Sequence, residues 1–343
     1  MSRSSTKTMT VLAVLMAAMS GASAADQALI DAAKKEGRAT WYTTQIIDQF
    51  ARPAAEAFER KYGIKVEYVR ANSNEVALRM TNEARAGKVM ADVVDGTSII
   101  LGLKTQNLLL KWLPESSMRL DPRFVDPDGY WAATNQYVLS PGHNTDQVRK
   151  GAEPQTFEDL LNPKWKGKIA WGSSVSASGA AGFVGLALAH MGEEKGMAYL
   201  RKLAEQNITG VRVSARQLLD QVIAGEYAIC LQIFNYHATI SAAQGAPVAW
   251  IPMQPVMSYV SVVSVTRGGP NPNAGKLLMD FLVSEEGQQL YRAADYIPID
   301  PNVPARDPSL RPDGNRLKAI FFTPEELERG MPRWVKIFQD VFR

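Results

Sequence analysis

Residues 39–43, 64–68 and 91–94 are short runs with β character, and two stretches of helical periodicity separate them. In the first stretch Asp48 is expected to cap a helix with Phe50, Ala54, Ala57 and Phe58 on one face. Pro53 falls early enough in that helix to be tolerated, and Gly63 stands at its stop. Ile64, Val66 and Tyr68 then alternate as a strand with one buried face. Residues 74–86 place Val76, Met80 and Ala84 on one stripe, closed by Gly87. Strand, helix, strand, helix, strand with short connections argues for a mainly parallel α/β sheet. In such sheets ligands bind beyond the carboxyl ends of the strands. That rule singles out Tyr42, Thr43, Thr44 and Gln45 after the first strand, and Gly96, Thr97 and Ser98 after the third. Helix capping by hydroxyl side chains is the alternative reading of the same residues.

A second group of such elements follows the proline- and aspartate-rich connection 112–131. Its centre is TFEDLLNPKWKGKIAWGSSVSASGA, residues 156–180. Thr156 can cap a short helix over Phe157–Leu161, which ends at Asn162-Pro163 because the residue before proline avoids the α region. A strand is expected at 169–171, then a Ser/Gly loop opening an apolar helix through 183–191. Such a loop presents free backbone N–H groups, the hydroxyls of Ser174, Ser176 and Ser178, and the positive end of a helix dipole. Gly179 would let an anion approach the backbone, and neither Gly179 nor Arg216 is expected in the core. Arg216, at the start of the helix after strand 208–213, could grip a carboxylate or phosphate with its planar fork. A solvated arginine is the other possibility. Further strands are expected at 227–233 and 247–251, with a helix at 235–244 between them. Residues 135–139 and 259–266 read as strands passing from one half of the chain to the other and back. Residues 324–342 read as a helix broken at Gly330 and Pro332 that docks on the body of the protein.

At the N-terminus, Arg3 and Lys7 precede an apolar run at 11–19 and the small-residue triplet Ala22-Ser23-Ala24. This has the form of a cleavable export signal over residues 1–24. Without it, the remaining chain has 36 basic against 35 acidic residues. So even a balance gives no broad field for nucleic acid or anionic membrane. About 320 residues exceed one comfortable core and suggest two lobes. The single cysteine, Cys230, cannot form an internal disulfide, and its apolar neighbours mark it as a buried strand residue.

The catalytic inventory is thin. His143, His190 and His237 are dispersed, and HExxH, CxxC, GxSxG and phosphate-loop motifs are absent from the sequence. Carboxylates are present, but their spacing does not pair them for acid/base work.

Several stretches in order along the chain carry a resemblance: KYGIKV at 61–66, ADVV at 91–94, DLLNPKWKGKIA with its serine loop, AGEYA at 224–228 and FLVSEEGQ at 281–288. Together they resemble the periplasmic solute-binding proteins of ABC importers, in the group that includes ferric-iron, thiamine and phosphorylated-solute binders. The resemblance implies a two-lobed type II periplasmic-binding-protein fold hinged by two crossover strands. Lobe one would comprise 25–137 and 259–310, lobe two 138–258, with 311–343 packing on both. It further implies a periplasmic monomer without a cofactor, enzymatic activity or nucleic-acid partner, which captures a solute and hands it to an ABC permease. The iron binders hold ferric ion with paired tyrosines, a histidine and a carboxylate. Those positions correspond here to Asn235-Tyr236, about Ile46 and about Thr97, so only Tyr236 matches. Hard ferric ion needs anionic oxygen ligands, and this departure points instead to a small polar, anionic organic solute. Ferric-ion transport, or a sensor or enzyme on the same fold, remains open at this stage. The candidate ligand-binding set is Tyr42, Thr43, Thr44, Thr97, Ser98, Ser174, Ser176, Ser178, Gly179, Arg216, Asn235 and Tyr236.

Overall fold

The computed structural model describes residues 26–97 and 99–342. The expected export signal at 1–24 and the candidate residue Ser98 lie outside the described residues. The strands are β1 (Arg38–Thr43), β2 (Lys65–Arg70), β3 (Val93–Gly96), β4 (Ala132–Asn144), β5 (Ile169–Gly172), β6 (Thr209–Val211), β7 (Ile229–Phe234), β8 (Val248–Trp250), β9 (Val256–Val265), β10 (Ile297–Pro298) and β11 (Ala319–Phe321). They form one sheet in the order β2-β1-β3-β9-β4-β7-β5-β6, with β8 and β10 on β4 and β11 on β9.

This order contains two parallel groups. β2 and β3 flank β1 in parallel on one side of the sheet. β6 and β7 flank β5 in parallel on the other. Between them run the antiparallel partners β4 and β9, the two long strands. β9 joins the first group at β3, and β4 joins the second at β7. The first group with its helices is called half one below, the second half two. Every residue of β4 and β9 is buried, as expected for strands covered on both faces.

Local signals explain most element boundaries. Asn72 and Glu75 form a reciprocal capping box at the start of helix Ser73–Arg85, with Glu75 N–H donating to Asn72 Oδ1 at 3.0 Å. Ser214 and Gln217 do the same for helix Ala215–Ile223, and Thr323 and Glu326 for helix Pro324–Val341. Gly63 ends helix Arg52–Tyr62 at φ 71°, a left-handed geometry that favours glycine.

Three local expectations differ. Asp48 does not cap a helix; it lies in a wide turn, Ile47–Ala51, where the Ala51 N–H reaches the Ile46 carbonyl, and it pairs with Arg52 at 2.9 Å. Pro141-Gly142 before His143 reads in the sequence as a turn, but β4 continues through a bulge past both residues. The C-terminal helix is continuous through Pro332. Pro324, Leu327 and Trp334 are buried, Met331, Val335, Phe338 and Val341 are half-buried against the core, and that packing outweighs the hydrogen bond proline removes.

Candidate functional site

The carboxyl edges of the two parallel groups carry nearly all the residues selected from sequence. In half one, Thr43 ends β1, Thr44 follows it, and Thr97 follows β3. In half two, the serine loop follows β5, Ser214–Arg216 follows β6, and Asn235-Tyr236 follows β7.

Side-chain partners separate occupied groups from free ones. Asp95, at the end of β3, is wholly buried and accepts from Trp41 Nε1 at 2.8 Å, Thr43 Oγ1 at 2.5 Å, and Thr44 N and Oγ1 at 2.8 and 2.7 Å. Burial pushes its carboxyl above the usual range in spite of those four donors. Thr43 and Thr44 therefore shape the β1 loop rather than offering hydroxyl protons to a ligand. Tyr42 points towards helix Ser73–Arg85: its hydroxyl donates to Glu83 at 2.6 Å, and Arg79 lies over its ring. Burial, with Glu83 behind it, pushes that phenol up to about 12. Arg216 donates to Asp220 at 2.5 Å and to Ser241 at 2.8 Å, which commits two of its donors. Gly179 is buried. A Cβ there would stand 2.5 Å from the Ser174 carbonyl oxygen and 2.9 Å from that of Gly172. Its glycine is thus required by the packing of the loop itself, contrary to the expectation that Gly179 lies outside the core.

The serine loop remains open. Ser174, Ser176 and Ser178 run as a chain of hydroxyls with Oγ···Oγ separations of 3.4 and 3.3 Å. Helix Ala180–Met191 begins directly behind them with no side-chain cap. Among the described residues, the Ala180 and Ala181 N–H groups have no acceptor, although both residues are buried.

Where the halves meet, tyrosines gather. Tyr137 of β4 and Tyr259 of β9 have ring centroids 5.4 Å apart, and Tyr236 and Tyr296 lie 5.3 Å apart. Tyr137 joins the two pairs, at 6.5 Å from Tyr236 and 6.3 Å from Tyr296. Burial raises all four phenols above the usual tyrosine value, Tyr137 to about 12, so they are neutral donors. Gln45 donates to Asn135 and Ser261, both at 3.3 Å, which leaves Gln45 Oε1 and Asn135 Nδ2 without partners. Asn235 donates to the Leu310 carbonyl at 3.0 Å, and its Oδ1 is also unpartnered. A cavity of about 400 Å³ extends from Tyr236 and Tyr296 between helix Asn235–Ala243 and the segment 295–310. Tyr236 is the one member of the candidate set that lines it.

In the sequence, Tyr137 and Tyr259 stand out only as members of the crossover strands, Gln45 is singled out at the end of the first strand but not carried into the candidate set, and Asn135, Ser261 and Tyr296 are not selected. A signal was present for Asn135, since a polar residue in a central strand is costly to bury without a partner. Tyr296 had none, because it follows the end of a helix in an aperiodic stretch.

The described residues contain no group of three or more His, Cys, Asp or Glu side chains placed to hold a metal ion. No helix among them is long and apolar enough to cross a membrane.

Comparison with known proteins agrees with this architecture. The chain is 23% identical over 310 residues to a putative 2-aminoethylphosphonate-binding periplasmic protein of Salmonella typhimurium, covering 87% of this chain and 84% of that one. Iron-bound HitA from Pseudomonas aeruginosa superposes with a TM-score of 0.75 at 22% identity, covering 89% of this chain and 99% of that one. AfuA from Actinobacillus pleuropneumoniae, solved with fructose-6-phosphate, gives 0.73 at 24% identity, covering 89% and 98%. The expected type II periplasmic-binding-protein fold is thus the fold of this chain. A family model described as bacterial extracellular solute-binding protein matches residues 103–320. The chain belongs to the bacterial extracellular solute-binding proteins.

Proposed function

We propose that this protein is the periplasmic component of an ABC importer that captures a small polar, anionic organic solute and delivers it to an inner-membrane permease. It acts as a monomer, exported by its N-terminal signal. Its lobes would be 25–137 with 259–310, and 138–258, with 311–343 packing on them and the hinge in the antiparallel pair β4 and β9. Solute bound between the lobes favours the closed arrangement through contacts with both.

One observation carries the anionic reading: the uncapped helix start at Ala180–Ala181, fronted by Ser174, Ser176 and Ser178. Directed N–H groups, hydroxyls and a helix dipole together favour negative charge. The tyrosine group and the unpartnered amides of Asn135 and Asn235 supply hydrogen bonds for the polar body of the solute. The relatives are consistent with that chemistry, since an aminoethylphosphonate binder and a fructose-6-phosphate complex are among them.

The test is mass spectrometry of the small molecule released by denaturing gently purified protein, followed by titration calorimetry with that compound. A phosphate, phosphonate or carboxylate compound is expected. A neutral or cationic solute defeats the reading.

The tyrosine group favours a second reading, ferric-ion transport, because phenolates are hard oxygen ligands. Against it, of the positions at which the iron binders carry paired tyrosines, a histidine and a carboxylate, only Tyr236 is matched.

A further inference from the structure

Helix Pro324–Val341 touches both halves of the molecule; Pro324 and Leu327 are buried at its start, where carboxylates add the directed contacts, whereas aromatic rings carry its other end. Near its start, the Glu328 carboxylate receives the Leu101 and Gly102 N–H groups, each at 3.0 Å. Helix Ile100–Thr105 has no side-chain cap of its own, so Glu328 supplies it from 227 residues away. Glu325 adds a bond from Trp131 Nε1 at 3.0 Å. Both contacts belong to half one, and helix Ile100–Thr105 follows the loop that carries Thr97.

The other end is apolar and grips half two. Trp334 lies so close to helix Ala180–Met191 that a Cβ on Gly185 would meet its ring at 2.6 Å. Trp171 of β5 meets the rings of Phe338 and Phe342 at centroid distances of 5.6 and 4.7 Å. Arg333 pairs with Glu193 beside them. These are the strand and helix that flank the serine loop.

A buried aromatic contact is not replaceable by water, whereas a carboxylate and an amide N–H each find water readily when they part. If the halves move, the helix therefore travels with half two and lets go at Glu328 and Glu325. We infer that the C-terminal helix is a releasable strap, with Glu328 as its clasp on half one, that sets the resting arrangement of the two halves. The inference rests on the hinge reading above.

The test places spin labels at Leu78→Cys in half one and Lys202→Cys in half two, both exposed, while buried Cys230 stays unlabelled. Pulsed electron resonance on the ligand-free full chain then gives the distance distribution. Glu328→Ala is expected to add a population at distances absent from the unsubstituted pair, and Glu325→Ala a smaller one. Should Glu328→Ala fail to fold, Glu325→Ala alone decides. An unchanged distribution in a folded variant overturns the strap. The hinge reading is judged separately, by whether the unsubstituted pair shifts with 2-aminoethylphosphonate or fructose 6-phosphate, so either can fail while the other stands.

Discussion

Tyr137 and Tyr259 are direct partners in the antiparallel register of β4 and β9, with rings 5.4 Å apart. On one side of this pair β9 continues against β3, and on the other β4 continues against β7 and β8. The pair therefore sits where the sheet passes from one parallel group to the other, and Tyr137 also touches Tyr236 and Tyr296. A hinge at this position would rotate its flanking strands about the floor of the tyrosine group. Small-angle scattering should accordingly show a smaller radius of gyration once the copurified solute is bound. Identical curves at saturation would argue against closure.

The serine loop and Arg216 make separable predictions. Hydrogen bonds to a charged group are worth about 1.5–3 kcal/mol, so a Ser176→Ala, Ser178→Ala double variant should bind the solute about ten- to a hundredfold more weakly. Arg216→Ala should change binding less than about threefold, because its guanidinium already holds Asp220 and Ser241. Calorimetry ranks the two variants, and the reverse order would make Arg216 the anion's partner.

Iron is tested by colour. Because Tyr236 alone matches the iron binders' ligand positions, the protein mixed with ferric citrate should develop no tyrosinate-to-iron band in the visible. A stable band that disappears in Tyr236→Phe would establish the ferric reading instead.

His237 makes a prediction in pH. Burial, with the Arg216 charge behind it, pushes this imidazole from 6.5 down to about 3, and its Nδ1 is unpartnered. The unfolded chain takes up a proton below about pH 6.5 while the folded protein does not, so stability falls as pH falls through that window. His143 moves in the same direction, also through burial. Replacing His237 by phenylalanine should remove about 2–3 kcal/mol of the loss between roughly pH 6.5 and 4.5, read from urea midpoints. An equal loss in both proteins would show that His237 is protonated when folded.

Asp95 should matter for stability before binding. Asp95→Ala strands the donors of Trp41, Thr43 and Thr44 in a buried setting and should cost about 1–3 kcal/mol for each donor left unpaired, read in denaturant melts. A loss under about 1 kcal/mol would mean that water replaces the carboxylate.

The sequence by itself determined the alternation of strands and helices, the carboxyl edges that carry the candidate residues, the two crossover strands and the placing of Cys230. These follow from periodicity, caps and breakers, which are properties of a few neighbouring residues. Only the tertiary structure decided which of the selected groups are free. Tyr42 meets Glu83 across 41 residues and Thr43 meets Asp95 across 52, so donors that look available in sequence are already taken. Arg216 meets Ser241 through the packing of two helices, and the tyrosine group collects rings from β4, β9, the start of the helix after β7 and an aperiodic turn. The continuity of the last helix past Pro332 was likewise decided by what it packs against, Gly185 on one side and the start of helix Ile100–Thr105 on the other. A residue type names the bonds it can make, and the fold decides which partner arrives first.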